Sequence, residues 1–171
     1  IIRILDENGN EVPAGEVGEL YSRGPMLFDG YYKLPEVTAE SFKGEYFSAG
    51  DMARRDEDGY YYLVDRKKNM IITGGENVYP SEVENVIAAH EAVFDVAVIG
   101  LPHEKWGEEV SAVIILKEGA ALTDKELISY CREQLAAYKC PKKVFFIAPD
   151  EMPRTGTGKI LHRILRERYS G

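Results

Sequence analysis

The chain changes texture at Asp65-Arg66-Lys67-Lys68, and no other feature constrains its fold as strongly. Before that charged run the sequence reads as short strands and turns. Ile1–Leu5 alternates like a strand, and Asn8-Gly9 is a hairpin signal ahead of Val12. A strand is expected at Val17–Ser22, followed by a loop through Gly24-Pro25. Pro35 opens one short helix over Glu36–Phe42. Tyr46–Phe47 and Tyr60–Val64 supply further strands, with turn chemistry at Asp56-Glu57-Asp58-Gly59. Residues 1–65 therefore read as a Gly-rich, mostly β unit, a distorted barrel segment.

After the charged run, helices and strands alternate. Met70-Ile71-Ile72-Thr73 is a buried strand candidate, and Gly74-Gly75 breaks it. Ser81 is expected to cap a helix over Glu82–Ala89, with Val83, Val86 and Ile87 facing inward. Val93–Ile99 and Val110–Leu116 are β-branched strands. Thr123-Asp124-Lys125-Glu126 is a capping box, and its helix carries Leu127, Cys131 and Leu135 on one face. Val144–Ile147 is a last strand. The fold class is α+β: residues 66–171 form a small mixed α/β domain, preceded by the β-rich segment.

Composition excludes several functions. There are 29 acidic against 21 basic residues, a net charge of −8. Nucleic-acid binding needs a basic face, so no nucleic-acid partner is expected. Arg163, Arg166 and Arg168 cluster near the end, where cations suit the dipole of a last helical turn. Cys131 and Cys140 have no CxxC partner, and no Cys/His cluster has metal-ligand spacing. His90, His103 and His162 are scattered and read as structural. No apolar run approaches a membrane span and no signal peptide is visible, so a reducing cytoplasm is the expected location. The first residue is not Met and lies inside a strand-like run, as in a piece of a longer protein.

The run Pro153-Arg154-Thr155-Gly156-Thr157-Gly158-Lys159-Ile160 is a small-residue loop with one cation, followed by an apolar and basic helix. It is not a Walker phosphate loop, which needs a glycine where Pro153 stands and Ser/Thr where Ile160 stands. By itself it reads first as a surface loop with a solvated lysine. The second reading is a flexible arm that carries an ammonium to an anion. Tyr46-Phe47-Ser48-Ala49-Gly50-Asp51 ends in a carboxylate that could be an ordinary turn aspartate or an acceptor for a ribose diol.

Four segments in series resemble the acyl-adenylate-forming superfamily, which includes acyl-CoA synthetases, luciferases and peptide-synthetase adenylation domains. They are Gly15–Gly24 with Gly30–Thr38, Tyr46–Asp51, Asp65–Glu84 and Pro153–Ile160. Gly74-Gly75-Glu76-Asn77-Val78-Tyr79-Pro80 looks most like bacterial and archaeal acyl- and aryl-CoA ligases. The resemblance implies ATP-dependent activation of a fatty or aryl carboxylic acid as acyl-AMP, then transfer to CoA. It implies that residues 1–65 close a large ATP- and acid-binding domain that lies mostly upstream. Residues 66–171 would be the mobile C-terminal domain.

Residue by residue, the resemblance places Asp51 and Arg66 on the ribose of ATP and Lys68 at the hinge. Lys159 would bridge the carboxylate and the α-phosphate. Gly74 and Gly75 would line the pantetheine tunnel, with no room for a side chain at Gly75. Trp106 would wall that tunnel, though it reads equally as a core aromatic. Tyr138 and Lys142 would hold the CoA nucleotide. Ala49 stands where many members have Thr, and Cys140 where some CoA ligases have Arg. The phosphate loop, the acid pocket and the glutamate for Mg2+ are expected upstream, so no metal ligand is expected here. The chain alone is expected to be inactive. An acetyltransferase acting on Lys159 is a further implied partner. Two other readings stand beside this one: a non-enzymatic CoA- or partner-binding module, and an adenylation domain that loads a carrier protein.

Overall fold

The computed structural model describes all 171 residues, Ile1–Gly171. They form two compact units, residues 1–68 and 69–171. Each unit is built on its own sheet.

The first unit holds strands β1 (Ile2–Leu5), β2 (Val17–Ser22), β3 (Phe42–Lys43), β4 (Tyr46–Phe47), β5 (Asp51–Arg55) and β6 (Tyr61–Arg66). All pair antiparallel in the order β3-β4-β2-β5-β6, with β1 also on β2. The Asn8-Gly9 turn forms, closed by a bond from Gly9 N to Asp6 O of 3.1 Å. It brings Glu11 to a single bridge with Leu5, while the long partner of β1 is β2. Helix α1 (Pro35–Ser41) begins at its proline as expected. Phe28, Tyr31, Phe42 and Phe47 gather into one aromatic cluster, with Phe28 and Phe47 edge to face at 5.0 Å.

The second unit contains β7 (Ile71–Thr73), β8 (Glu76–Val78), β9 (Val93–His103), β10 (Gly107–Leu116) and β11 (Lys143–Phe146). Strand β10 is the centre: it runs antiparallel to β9 along its length and parallel to β11. Helices α2 (Pro80–Ala88) and α3 (Asp124–Arg132) cover one face of the sheet, and α4 (His162–Tyr169) covers the other. Val96, Val98, Ala112 and Ile114 point to the first face, and Ala97, Ile99, Val113 and Ile115 to the second. Burial on both sides is why these strands read as unbroken apolar runs.

Local sequence fixes most boundaries. The capping box on α3 forms in both directions: Glu126 N donates to Thr123 Oγ1 at 3.3 Å, and Thr123 N donates to Glu126 Oε2 at 2.8 Å. Ser81 is not a cap. Helix α2 starts one residue earlier at Pro80, with Tyr79 at the N-cap and no side-chain cap bond. Proline tolerates the first helical position because the N–H it lacks would have no partner there. Strand β7 is only partly buried: Ile71 is inside and Ile72 faces out. The two cysteines are free and buried in the α2–α3 face. Burial pushes the Cys131 thiol up to about 11, which keeps it inert near neutrality.

Ile114 has 0% exposure at the middle of β10. Ile114→Ala is expected to cost about 2–5 kcal/mol, as for other large-to-small changes in close-packed cores. Urea unfolding checks this. A loss below about 1 kcal/mol would mean that the α2–α3 face does not carry the unit's stability.

Candidate functional site

Two cavities and one loop hold most of the residues singled out by sequence; Asp51 and Gly75 each stand next to a lining residue but line neither cavity. The first cavity lies in the first unit. Strands β5 and β6 pair with Asp51 directly opposite Arg66. Arg66 Nε sits 2.9 Å from Asp51 Oδ1, and its Nη1 donates to Ala49 O at 3.1 Å. Lys67 N donates to Gly50 O at 2.8 Å, which closes the corner. Gly50 has φ +76, a left-handed turn that favours glycine. The resulting cavity of about 420 Å³ is lined by Ala49, Gly50, Arg66, Lys67 and Lys68. Three cations and bare backbone suit a polar, anionic ligand.

Sequence reading missed the network beneath this corner. Glu19 on β2 accepts from Ser48 Oγ at 2.7 Å, Lys67 Nζ at 2.9 Å and Tyr21 OH at 3.0 Å. Ser48 in turn accepts from Gly50 N at 3.0 Å. Buried polar groups need such partners, and here they fix the turn that carries Asp51. The available signal was strand alternation, which puts Glu19 and Tyr21 on one face of β2. Burial works against the charge on Glu19. The bonds from Lys67 and Ser48, with the charge of Lys67, outweigh it and hold the carboxyl below its usual value of 4.5. Burial and the Glu19 charge push Tyr21 up to about 12.

A depressed carboxyl stabilises the fold above its unfolded pKa, and that contribution is lost as pH falls through the folded value. Glu19→Gln is therefore expected to melt below the wild type at about pH 7, with the difference closing by about pH 3. Melting curves at the two pH values decide it. A gap that stays constant would show that charge on Glu19 is not what holds the corner.

The second cavity lies in the second unit. Gly74 and Gly75 form a two-residue turn between β7 and β8, with φ +61 and +88. Both positive angles match the hairpin turn that follows the right-handed strand twist. Gly74 N donates to Trp106 O at 2.8 Å. A Cβ on Gly74 would lie 3.0 Å from Trp106 Cε3, whereas one on Gly75 meets nothing within 4 Å. Gly74 is thus the glycine whose missing side chain makes room for the indole. Trp106 is 46% exposed, so it is not a core aromatic.

The cavity measures about 350 Å³, and its walls include Gly74, Glu76, Trp106, Glu109, Tyr138 and Lys142. Lys142 Nζ donates to Ala137 O at 2.8 Å. Lys139 Nζ bonds both oxygens of Glu82 at 2.7 Å, tying the segment beside Tyr138 to α2. The buried Glu109 carboxylate is paired with Lys143 at 2.6 Å, and His103 Nε2 lies 3.9 Å away. Two half-exposed rings, a cation and two carboxylates suit a ligand with a planar group and several hydrogen-bond donors.

Lys159 does not line this cavity. It sits on the loop ahead of α4, and that loop is ordered by its own bonds rather than a loose arm. Arg154 and Ile160 form an antiparallel bridge. Thr155 N donates to Lys159 O at 2.8 Å, Gly158 N to Thr155 O at 2.9 Å, and Lys159 N to Thr155 Oγ1 at 3.1 Å. The side chain of Lys159 is exposed.

Residues 82–159 match the family described as the AMP-binding enzyme C-terminal domain. The chain is 46% identical over 166 residues to a long-chain-fatty-acid–CoA ligase of Yersinia pestis, covering 97% of this chain and 29% of the relative. It is 45% identical to a feruloyl-CoA synthase of Amycolatopsis, covering 98% of this chain and 34% of that protein. The chain belongs to the acyl-adenylate-forming superfamily. It represents that superfamily's C-terminal portion and spans about a third of its relatives' length. ATP-bound MatB of Rhodopseudomonas palustris matches this chain with a TM-score of 0.92 at 40% identity, over 99% of this chain and 34% of MatB. Within this portion no cluster of three His, Cys, Asp or Glu is placed to hold a metal ion. No helix is long and apolar enough to cross a membrane.

Proposed function

We propose that this chain is the C-terminal part of an AMP-forming acid–thiol ligase, which activates a fatty or aryl carboxylic acid with ATP and transfers the acyl group to CoA. The observation that carries the reading is the pairing of two separate cavities with a third, exposed lysine loop. The first cavity is cationic and fits a nucleotide; the second is aromatic and fits CoA. In this reading residues 1–65 complete the ATP-binding domain and residues 66–171 form the C-terminal domain that turns about Lys68.

Asp51 and Arg66 hold the ribose hydroxyls of ATP, since a carboxylate accepts from a diol and the guanidinium beside it keeps it oriented. Lys159 meets the acid and the α-phosphate when they react. Two anions repel at that step, and a placed cation stabilises the charge that develops. CoA enters beside Gly74 and Gly75, with Trp106 and Tyr138 flanking it and Lys142 near its phosphates. Mg2+ is held by residues outside this chain. The protein works in the cytoplasm, and an acetyltransferase that modified Lys159 would remove the charge on which the first step depends.

Trp106 is the sole tryptophan among the 171 residues, so its fluorescence reports on the second cavity. Titration of the chain with CoA is expected to change that emission, and Tyr138→Ala is expected to weaken the response. With ATP, Mg2+ and a panel of acids, the chain by itself is expected to release no pyrophosphate. An emission unchanged by CoA argues against the thiol-ligase reading and in favour of a carrier-protein acceptor. Sustained pyrophosphate release by the chain alone overturns the division of labour.

A further inference from the structure

We infer that Arg154 and Asp95 are a positioning pair that sets where Lys159 can reach. The inference rests on the reading of Lys159 as the adenylation cation. Arg154 is the second residue of the loop and Asp95 lies on β9, 59 positions earlier. The Arg154 guanidinium makes two contacts at once. Its Nη1 donates to Gly158 O at 2.9 Å, the carbonyl that immediately precedes Lys159. Its Nη2 pairs with Asp95 Oδ2. The other Asp95 oxygen, Oδ1, accepts from Val96 N at 2.9 Å, so the carboxylate is itself fixed to the strand.

The pair therefore ties the tip of a glycine loop to β9, which is paired along its length with the central strand β10. Asp95 stands one residue ahead of the buried run Val96–Ile99. Gly156 and Gly158 bring no side chain to the tip, where a Cβ at either would meet nothing within 4 Å, and Thr157 between them bonds back within the turn to Thr155 Oγ1 at 2.9 Å. Without the guanidinium, the tip is held by its internal turn bonds alone. On the far side His162 Nε2 lies 2.9 Å from Glu84 Oε1, which fixes the start of α4 but not the tip. A planar, always-charged fork is the side chain suited to bridge a carboxylate and a carbonyl together. A lysine at this position reaches one of them.

An ammonium that must lie between two reacting anions tolerates little displacement. A misplacement of about 1 Å can cost about 10²-fold in rate. Arg154 and Asp95 touch no reactant in this account; they act through Lys159.

The test uses the full-length protein, with Arg154→Met, Arg154→Lys, Asp95→Asn and the exchanged pair Arg154→Asp with Asp95→Arg. Single-turnover acyl-AMP formation at saturating acid and ATP is measured, together with thioester formation from preformed acyl-AMP. Amide exchange of residues 155–160 is followed by mass spectrometry. Arg154→Met and Asp95→Asn are expected to lose about 10²-fold in acyl-AMP formation. Their KM values and the thioester step are expected to stay near wild type, and the loop amides to exchange faster. Arg154→Lys and the exchanged pair are expected to recover part of the loss. Equal loss in both half-reactions, with a lowered melting point, would show a merely structural pair and overturn the inference. So would faster loop exchange with unchanged acyl-AMP formation. Lys159→Ala serves as the control. If it leaves acyl-AMP formation intact, the role of the lysine fails, and the inference falls for that reason rather than for a fault in the pair, which the exchange data read separately.

Discussion

Lys159→Ala in the full-length protein is expected to lower acyl-AMP formation by about 10²–10³-fold, the usual cost of one oriented electrostatic contact. Thioester formation from preformed acyl-AMP is expected to remain within a few-fold of wild type. The contrast follows from when the charge matters. On the proposed reading, carboxylate and α-phosphate approach each other only in the first half-reaction, so the ammonium is expected to stabilise only that transition state. The acyl-AMP already has its bond, and the thiol attacks a carbon. Lys159→Arg separates charge from reach: it keeps the cation but changes the length and shape of the donor. A partial loss in Arg and a near-complete loss in Ala is the expected order. Rapid-quench measurement of acyl-AMP and of CoA-dependent AMP release resolves both steps. If Lys159→Ala slows both equally, the exposed lysine is not a step-specific cation.

How much of this was legible in the sequence depended on the distance over which each feature is determined. Strands β9 and β10 announced themselves, because both faces are apolar and their side chains are β-branched. The α3 cap was legible because Thr123 and Glu126 carry the whole motif within four residues. Helix α2 was misplaced by a local competition: Ser81 is a good cap by chemistry, but Pro80 has its φ preset for the helix and begins it first. Strand β8 was not visible at all. Glu76-Asn77-Val78 has little strand propensity, and it pairs because the Gly74-Gly75 turn returns the chain onto β7.

The candidate site divides the same way. Asp51, Arg66, Gly74 and Lys159 are candidates from motifs contiguous in sequence, and Trp106, Tyr138 and Lys142 from positions implied by the resemblance. The groups that hold them are not. Glu19 meets Lys67 across 48 positions, and Arg154 meets Asp95 across 59. Each of those side chains looks, alone, like one more solvated charge among the 29% of charged residues. Only the tertiary fold brings them together. The loop around Lys159 is a further case. Its glycines and threonines read as flexible, yet Thr155 supplies a backbone N–H, a carbonyl and a hydroxyl to the same tight turn.

Gly74→Leu is expected to produce the opposite pattern to Lys159→Ala. The new Cβ would start 3.0 Å from Trp106 Cε3, so the indole must shift and the remaining side chain fills the cavity beside it. Backbone strain adds to this, because φ is +61. A left-handed conformation costs an ordinary residue about 1–2 kcal/mol. That is small against a typical domain stability of about 5–15 kcal/mol, so the fold should survive. Acyl-AMP formation is expected to stay within a few-fold of wild type. The CoA-dependent step is expected to fall by about 10²-fold or more, since the thiol can no longer reach its geometry. Gly75→Ala is the matched control. It carries comparable strain at φ +88, but its Cβ meets nothing within 4 Å. If strain alone matters, the two variants will slow the CoA step alike. If space beside Trp106 matters, Gly74→Leu will slow it far more than Gly75→Ala does, and in the isolated chain Gly74→Leu alone will shift the Trp106 emission.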